Sequence, residues 1–412
     1  MQRGKFCSWK KYIGVIGAIG FFWLSFGLNG RTIATIDLEP DTSAFTATVE
    51  ERVPSLVDKD GLVLQVKLGE GKRPYNFLLD TGAEISVLDS AIVQDLALNR
   101  LLDLESHDFA GNSKKVTLYQ SKSLTVGSAT IYNIPILSVD MKFLQTTYGI
   151  PIDGLLGYDF LKHFVVNLDY KNHQVIFSRT NHVSIPSDVL MATMHKNYFA
   201  ITLPITIDHM SMDVLLDTGA MGEAFAAPND LLEKCKIKIY SKGGIVAGAF
   251  GYSERDIMAR TEVRVGKYTF KNTSIMSSQL PLAGHKFLSQ FNVILDYPDQ
   301  KAWLIPNGKV LLPRDSYHTG LGLVSDENGF LVVRGIWEGS PADVAAIGVG
   351  DRILAINGIK TPAQTEAYWR VILHDDKIKT LELVIQNSAG IRTITLKKCN
   401  LFAVHRVKTL KR

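Results

Sequence analysis

Short alternating runs of apolar and polar residues fill most of the chain from residue 61 to Pro306. In Leu62–Leu68, Val and Leu alternate with polar side chains, which is typical of a strand with one buried face. Gly, Asn and Pro residues separate these runs. Helical patterns are brief and occupy residues 90–98, 158–163 and 228–234. The pattern therefore predicts a mainly β protein with a few short helices.

The same pattern occurs twice. Phe77-Leu78-Leu79 runs into Asp80-Thr81-Gly82-Ala83, and Val214-Leu215-Leu216 runs into Asp217-Thr218-Gly219-Ala220. A glycine-bearing segment, a Val-Gly turn and a closing segment that ends in Asp-Tyr then follow in the same order in both copies. Repetition of such long units predicts two homologous lobes, at residues 60–180 and 190–308, each large enough to hold its own core.

The composition changes after Pro313, where glycine-centred turns become frequent. Gly320-Leu321-Gly322-Leu323, Ser340-Pro341-Ala342 and Gly350–Gly358 indicate a third domain, which we place at residues 316–400. Residues 30–59 are largely polar and are predicted to form a linker or an edge strand. Residues 401–412 are predicted to be a short, solvated basic tail.

The N-terminus has the pattern of a targeting segment. Four basic residues precede Tyr12–Leu28, a run without any charged side chain. A positive segment before an apolar one predicts that residues 1–29 are a secretory signal peptide or, because residues 12–28 are long enough, an N-terminal membrane anchor. Either interpretation predicts an exported protein of the periplasm or cell envelope, secreted or anchored by this segment.

Composition limits the function classes. The net charge of +4 comes from mixed signs along the chain, and no dense basic block with interleaved aromatic residues precedes the tail, so nucleic-acid binding is not predicted. Cys7, Cys235 and Cys399 are widely separated and suggest neither a disulfide framework nor a zinc site. The histidines are scattered as well, and the sequence predicts no metal and no cofactor.

Asp80 and Asp217 are the candidate catalytic residues. Two carboxyl groups held close together cannot both ionise easily, so they share one proton. The ionised member can take a proton from water while the protonated member donates to a carbonyl oxygen. Threonine hydroxyls are expected to join the two loops, and glycines to let the backbone approach the carboxylates. These supporting residues are Thr81, Gly82, Thr218 and Gly219.

Residues 60–306 resemble the retropepsin-like aspartic peptidases, with two lobes fused in one chain. Besides the two Asp-Thr-Gly-Ala segments, Leu155-Leu156-Gly157 matches the family's apolar-apolar-Gly motif. In the second copy the motif weakens to Pro281-Leu282-Ala283-Gly284, which predicts poorer packing there. The resemblance implies two β-barrel lobes that form a bilobal aspartic protease. It also implies flaps at Gly111 and Gly248, although plain hairpin turns would give the same pattern.

Residues 316–400 resemble an α+β PDZ domain, in the arrangement found in exported bacterial proteases. Gly320-Leu321-Gly322-Leu323 stands where that family has its carboxylate-binding loop. The resemblance implies that the backbone N–H groups of Leu321, Gly322 and Leu323 bind a peptide C-terminus, while the peptide adds as a strand to the sheet edge. Binding of internal strands or of the protein's own chain stays open as an alternative. A protease next to such a domain suggests recruitment of substrate or regulation of access.

The sequence therefore predicts an exported aspartic endopeptidase that acts on peptides or unfolded proteins through Asp80 and Asp217. Two alternatives stay open: a catalytically inactive peptide-binding or scaffold protein, and a homodimeric protease whose aspartate pair lies between two chains. Ala83 and Ala220 follow the glycines, where Ser or Thr could donate a hydrogen bond to the carboxylate and lower its pKa. We therefore expect activity toward weakly acidic or neutral pH.

Overall fold

A computed structural model describes residues 50–402, apart from residues 58–60, 70, 72, 109–110, 142–143, 145–149, 182, 188, 195–199, 235, 249 and 313–317. The predicted signal peptide or anchor, much of the predicted linker and nearly all of the basic tail lie outside the described residues. Within the described part of the chain, no helix is long and apolar enough to cross a membrane. Export and membrane anchoring therefore stay predictions.

The described part of the first lobe is built mainly from short strands, with short helices between them. Its strands bury alternate side chains, and in Val63–Leu68 only Gln65 and Lys67 are exposed. The elements are β1 (Glu50–Pro54), β2 (Val63–Leu68), β3 (Tyr75–Leu79), β4 (Val87–Asp89), α1 (Ser90–Asp95), β5 (Asn99–His107), β6 (Ser113–Val126), β7 (Ala129–Val139), β8 (Gly154–Leu156), α2 (Tyr158–Leu161), β9 (Val165–Asp169) and β10 (Gln174–Ser178). Helix α1 begins at the cap formed by Asp89, whose side chain accepts a hydrogen bond from the Ala91 N–H.

The second lobe repeats this set of elements. They are β11 (Leu190–Met194), β12 (Ile201–Ile207), β13 (Met210–Leu216), β14 (Phe225–Ala227), α3 (Asn229–Lys234), β15 (Ile239–Gly248), β16 (Gly251–Val265), β17 (Tyr268–Ser277), β18 (Leu282–Ala283), α4 (His285–Leu288), β19 (Phe291–Asp296) and β20 (Lys301–Pro306).

The strands of the two lobes are arranged in the same order. In the first lobe the sheet runs β2-β3-β8-β4-β7-β6-β5, and β2 also pairs with β6. In the second lobe it runs β12-β13-β18-β14-β17-β16-β15, and β12 also pairs with β16. Each extra pairing folds the sheet back on itself like a barrel. The mainly β fold class is confirmed, and the repeat seen in the sequence is a repeat of topology.

A continuous sheet joins the two lobes. Strand β9 pairs antiparallel with β19, so that Leu168 lies opposite Val293. Strands β10 and β20 extend this sheet on either side, and β1 and β11 form its outer strands before the sheet continues into the second lobe. Residues 50–54, within the segment predicted to be a linker or an edge strand, are therefore an edge strand of the fold.

One apolar cluster runs through both lobes and includes buried phenylalanines from each. Phe77 and Phe160 come from the first lobe, and Phe225 and Phe287 from the second. Because burial of a large apolar side chain contributes on the order of 1.5–3 kcal/mol, this shared cluster favours a fixed relation between the lobes.

The third domain has its own sheet and core. Its elements are β21 (Leu321–Ser325), β22 (Leu331–Ile336), α5 (Pro341–Val344), β23 (Arg352–Ile356), β24 (Ile359–Lys360), a 3₁₀ turn (Thr361–Ala363), α6 (Glu366–His374), β25 (Thr380–Asn387) and β26 (Gly390–Lys397). Trp369 is buried in this core, and its indole N–H donates to the Thr361 carbonyl at 2.9 Å. Strand β21 lies at one edge of the sheet.

The chain returns to the second lobe after the third domain. Leu401 and Phe402 are buried and pack with Met258 of β16. The predicted boundary of a solvated tail at residue 401 is therefore corrected, because the first two residues of that segment belong to the folded structure.

Candidate active site

Each aspartate stands at the end of a buried strand. Strand β3 pairs in parallel with β8, and the Asp80 N–H donates to the Leu156 carbonyl at 3.0 Å. Strand β13 pairs in parallel with β18, and the Asp217 N–H donates to the Ala283 carbonyl at 3.0 Å. Each aspartate thus follows a buried strand and is hydrogen-bonded to the strand beside it, so the backbone that carries its carboxyl group is held in place.

The weaker second apolar-apolar-Gly motif keeps the geometry of the first. Leu282 and Ala283 are buried, and Gly284 has an extended backbone (φ −92°, ψ −173°) close to that of Gly157 (φ −101°, ψ −175°). The expectation of poorer packing there is therefore wrong. The turn depends on the glycine position and the parallel pairing, and Ala283 still fills its buried site.

Two threonines bind the lobes together beneath the aspartates. The Thr81 hydroxyl donates to the Leu216 carbonyl at 2.8 Å and accepts from the Thr218 N–H at 3.1 Å. The Thr218 hydroxyl donates to the Leu79 carbonyl at 2.7 Å and accepts from the Thr81 N–H at 3.0 Å. These four reciprocal bonds are buried, so they fix the separation of the two loops.

Each glycine of the two Asp-Thr-Gly segments faces the carboxyl group of the other lobe. A methyl group built on Gly82 would lie 2.8 Å from Cγ of Asp217, and one built on Gly219 would lie 2.7 Å from Cγ of Asp80. Only glycine leaves room for this approach. The Gly82 N–H also donates to Oδ1 of Asp80 at 2.9 Å, and the Gly219 N–H to Oδ1 of Asp217 at 2.8 Å.

The electrostatics suit a pair of carboxyls that holds one proton. Asp80 is 7% exposed and Asp217 is 1% exposed. Burial raises the pKa of Asp80 to about 6, against the opposing effect of the Gly82 N–H and of Asp217. Burial, followed by the charge of Asp80, raises the pKa of Asp217 well above its ordinary value. The pair titrates as a unit that holds one proton between the two carboxyls.

The two glycine segments predicted to be flaps lie at the tips of long hairpins. Gly111 (φ +86°) is in the turn between β5 and β6, and Gly248 ends β15 at the turn into β16. The tips reach across the lobes. A methyl group on Gly111 would lie 2.6 Å from Nε2 of Gln279, and the Phe250 N–H donates to Oδ2 of Asp108 at 2.9 Å.

Asp108 and Phe250 carry no motif that sequence reasoning could single out. Asp108 is buried, and its carboxylate also accepts from the Asn112 N–H at 2.9 Å. Phe250 packs against a first-lobe apolar cluster that includes Ala83 and Ile85, a short distance along the chain from Asp80. The hairpin tip of the second lobe therefore packs against the first lobe.

The sequence did not predict a second feature of the site, a reciprocal pair of ring contacts between the lobes. Tyr158 lies edge to face with Tyr297 at 5.7 Å, and His285 lies edge to face with Tyr170 at 5.2 Å. Burial, then the charge of Asp217, raises the pKa of Tyr170. The Asp-Tyr that closes each sequence repeat was the available signal for these contacts.

The predicted PDZ ligand residues begin the edge strand of the third domain. Leu321, Gly322 and Leu323 are in β21, which pairs with β22 on one side. On its other side the Ser325 N–H donates to Oε2 of Glu366, the first residue of α6, at 3.1 Å. Leu321 and Leu323 pack against the same apolar core as the helix. An edge strand next to a helix is an arrangement to which a peptide strand adds.

Comparison with protein families agrees with this geometry. A model described as aspartyl protease matches residues 64–160, and a model described as PDZ domain matches residues 309–386. The chain contains an aspartyl protease domain and a PDZ domain. A search of curated proteins returned no match to the chain. The aspartyl protease match covers the first lobe, with Asp80 and the Leu155-Leu156-Gly157 motif inside it.

The second lobe has the same architecture as the lobe that the aspartyl protease model matches. It has the strand order of the first lobe and the same hydrogen bond from the aspartate N–H to a paired strand. It also supplies Asp217 to the shared site. The aspartyl protease unit of this chain is therefore bilobal, with one aspartate from each lobe.

Proposed function

We propose that the chain is an aspartic endopeptidase that hydrolyses peptide bonds with a water molecule activated by Asp80 and Asp217. One observation carries this proposal: each buried carboxyl faces the loop glycine of the other lobe, at 2.7–2.8 Å from the position of an added methyl group. The two carboxyls also lie within hydrogen-bonding reach of each other, which requires one proton between them.

The roles belong to the pair of carboxyls. Burial raises the pKa values of both Asp80 and Asp217, so at weakly acidic pH the pair holds one proton, and the ionised member takes a proton from water. The protonated member donates the shared proton to the carbonyl oxygen of the peptide bond. This use of two aspartates that share one proton is the accepted scheme for aspartic proteases generally.

The substrate class follows from the hairpins. Two long hairpins, β5–β6 and β15–β16, meet at their tips across the lobes. An extended peptide beneath them could bond to strands by its backbone, which favours unfolded or extended protein segments over folded ones.

Hydrolysis of an unfolded protein tests the proposal. Asp80→Asn and Asp217→Asn should each abolish cleavage, because neither amide can take the proton role of the carboxyl it replaces. Asp95→Asn makes the same chemical change at an exposed position of α1 and should cleave like wild type. Wild-type turnover in either dyad variant would contradict the proposal. A wild-type chain that binds peptide without cleaving it would favour the scaffold alternative.

A second chain is not needed to complete the pair. Both aspartates, the four threonine hydrogen bonds and the β9–β19 pairing belong to one chain. We therefore propose an intramolecular dyad, and activity per chain that does not change with protein concentration. Activity that falls with dilution would instead support the homodimer.

The PDZ domain and the N-terminal segment complete the proposal. We propose that the edge strand β21 binds peptide or protein C-termini, so a free-carboxyl peptide should bind the full chain more tightly than its amide. Export rests on residues 1–29 alone. N-terminal sequencing of the protein recovered from the cell envelope would show whether this segment is cleaved or retained as an anchor.

A further inference from the structure

The β15–β16 hairpin, residues 239–265, which we call the lobe-2 hairpin, is bound to the PDZ domain near its middle. The Glu338 N–H donates to the Lys242 carbonyl at 2.9 Å, and the Ser241 hydroxyl donates to the Glu338 carbonyl at 2.9 Å. Both contacts come from the segment that follows β22. Hydrogen bonds to backbone groups on both sides make this a fixed junction between the domains.

Glycines on both sides let the surfaces approach closely. Gly322 and Gly335 are cross-strand partners on β21 and β22, and Ile245 of the hairpin sits over them. A methyl group on Gly322 would lie 2.9 Å from Ile245 Cγ1, and one on Gly335 would lie 2.7 Å from Cγ2. On the hairpin side, a methyl group on Gly244 would lie 2.1 Å from the Trp337 ring. The junction is therefore packed without spare room.

The segment after the PDZ domain holds the base of the same hairpin. The Phe402 ring lies edge to face with Tyr240 of β15 at 5.1 Å. The Arg260 guanidinium of β16 lies 4.5 Å from the centre of the Phe402 ring, in the range of a cation–π contact. Phe402, which follows the PDZ domain, therefore contacts both strands of the hairpin.

The other end of the hairpin contacts the first lobe. Phe250 at its tip bonds to Asp108 and packs against the first-lobe cluster that includes Ala83. Three irregularities in pairing with β16 fall between Ile239 and Val246, the stretch that contacts the PDZ domain. These irregularities bend a strand locally, so contacts there influence where the tip lies.

We propose that the PDZ domain positions the lobe-2 hairpin for substrate binding, with Ile245 as the positioning residue at the junction. This inference rests on the proposed peptidase function. Strand β21 has two roles in it: its edge lies next to α6, where a peptide strand would add, and its Gly322 contacts Ile245. The PDZ domain is then part of the catalytic unit, and a ligand bound along β21 lies one strand away from the hairpin.

Hydrogen exchange in the full chain tests the positioning independently of catalysis. Ile245→Ala removes most of the side chain that packs over Gly322 and Gly335. The amides of residues 239–265 should then exchange about fivefold faster or more. Ile245→Val should restore most of the protection. Ile391→Ala, at an exposed position of β26 in the same domain, should leave the hairpin unchanged. Equal hairpin exchange in wild type and Ile245→Ala would overturn the inference.

Kinetics separates this inference from the proposed function. With an unfolded protein substrate, Ile245→Ala should raise KM by about fivefold or more, with a smaller change in kcat and an unchanged pH profile, because the dyad is untouched. Ile245→Val should return KM toward wild type. An unaltered KM in Ile245→Ala would overturn the inference. If the wild type shows no hydrolysis, the proposed function fails, and hydrogen exchange alone decides whether the PDZ domain positions the hairpin.

Discussion

The Cα of Gly82 in the first lobe faces the carboxyl group of Asp217 in the second, with room for a hydrogen atom and no more. A methyl group there would lie 2.8 Å from the carboxyl carbon. Gly82→Ala should therefore push the carboxyls apart and lower kcat/KM by about a hundredfold or more, since a shift of about 1 Å costs that much in such sites. Gly222→Ala is the matched control, because nothing lies within 4 Å of its added methyl group. Similar losses in the two variants would contradict this explanation.

The reciprocal threonine bonds predict a stability effect that depends on one oxygen atom. Thr81→Val keeps the shape but leaves the Leu216 carbonyl and the Thr218 N–H without their partner. The free energy of unfolding should fall by about 2–4 kcal/mol, because each buried unsatisfied group costs roughly 1–3 kcal/mol. Thr81→Ser keeps the hydroxyl and should lose much less. Denaturant unfolding of the three proteins measures the difference, and equal loss in Val and Ser variants would show that the methyl group matters instead.

The site could be predicted from the sequence because its parts are local. Asp-Thr-Gly after a buried strand is a contiguous signal, and its repetition indicated that the two aspartates act together. Lobe boundaries followed from the same repeat. The weakened motif before Gly284 was misleading, because the sequence shows side chains while the turn depends on backbone pairing with β13.

Contacts between distant segments could not be predicted in this way. Strand β1 has the polar sequence Glu50–Pro54, and only its pairing with β10 makes it part of the fold. Gly243 and Gly244 are typical of a turn, yet they lie within β15, where the hairpin meets the PDZ domain. A glycine in the sequence can indicate that the backbone lies close to another part of the protein, but it does not identify that part.

The raised pKa values of the dyad predict a pH optimum well above that of strongly acidic proteases. Catalysis needs one proton on the pair. Burial raises the pKa of Asp80 to about 6 and raises that of Asp217 as well, so at low pH both carboxyls are protonated and neither can act as a base. The acid side of the kcat/KM profile should therefore lie in the weakly acidic range.

Ala220→Ser tests why the kcat/KM profile is expected in the weakly acidic range. The Gly219 and Ala220 N–H groups already donate to Oδ1 of Asp217, at 2.8 and 3.1 Å, so a hydroxyl on residue 220 can add a further donor. A donor to the ionised form lowers the pKa, so the pH range in which the pair holds one proton, and with it the kcat/KM profile, should move to lower pH. Ala91→Ser, at an exposed position of α1, should leave the profile in place. A wild-type optimum below about pH 3 would contradict the expected raised pKa of the pair.

Asp159 predicts a stability change with pH that is separate from catalysis. It is buried behind the first Asp-Thr-Gly loop, where its Oδ1 accepts from the Ser86 N–H at 2.9 Å and from the Ser86 hydroxyl at 2.7 Å. In the second lobe the corresponding positions hold Glu223 and Lys286, which form an ion pair at 3.6 Å. The second lobe thus neutralises its carboxylate with a lysine, whereas the first lobe buries one without such a partner among these residues.

Burial raises the pKa of Asp159 from its ordinary 3.8 to about 7, despite the Ser86 hydrogen bonds. A carboxyl whose pKa is raised on folding stabilises the protein most below pH 3.8 and loses that contribution as the pH rises toward 7. Asp159→Asn keeps an oxygen acceptor for Ser86 without the charge. Relative to wild type, it should therefore gain up to about 4 kcal/mol in unfolding free energy between pH 4 and pH 8.

Thermal or denaturant unfolding across this pH range measures the gain. Asp95→Asn, the same chemical change at an exposed position of α1, is the control. Cleavage by Asp159→Asn should keep the wild-type pH profile, because the dyad is unchanged. A stability difference that shrinks as the pH rises would mean that Asp159 is ionised and stabilised in the folded state. The Ser86 hydrogen bonds would then outweigh its burial.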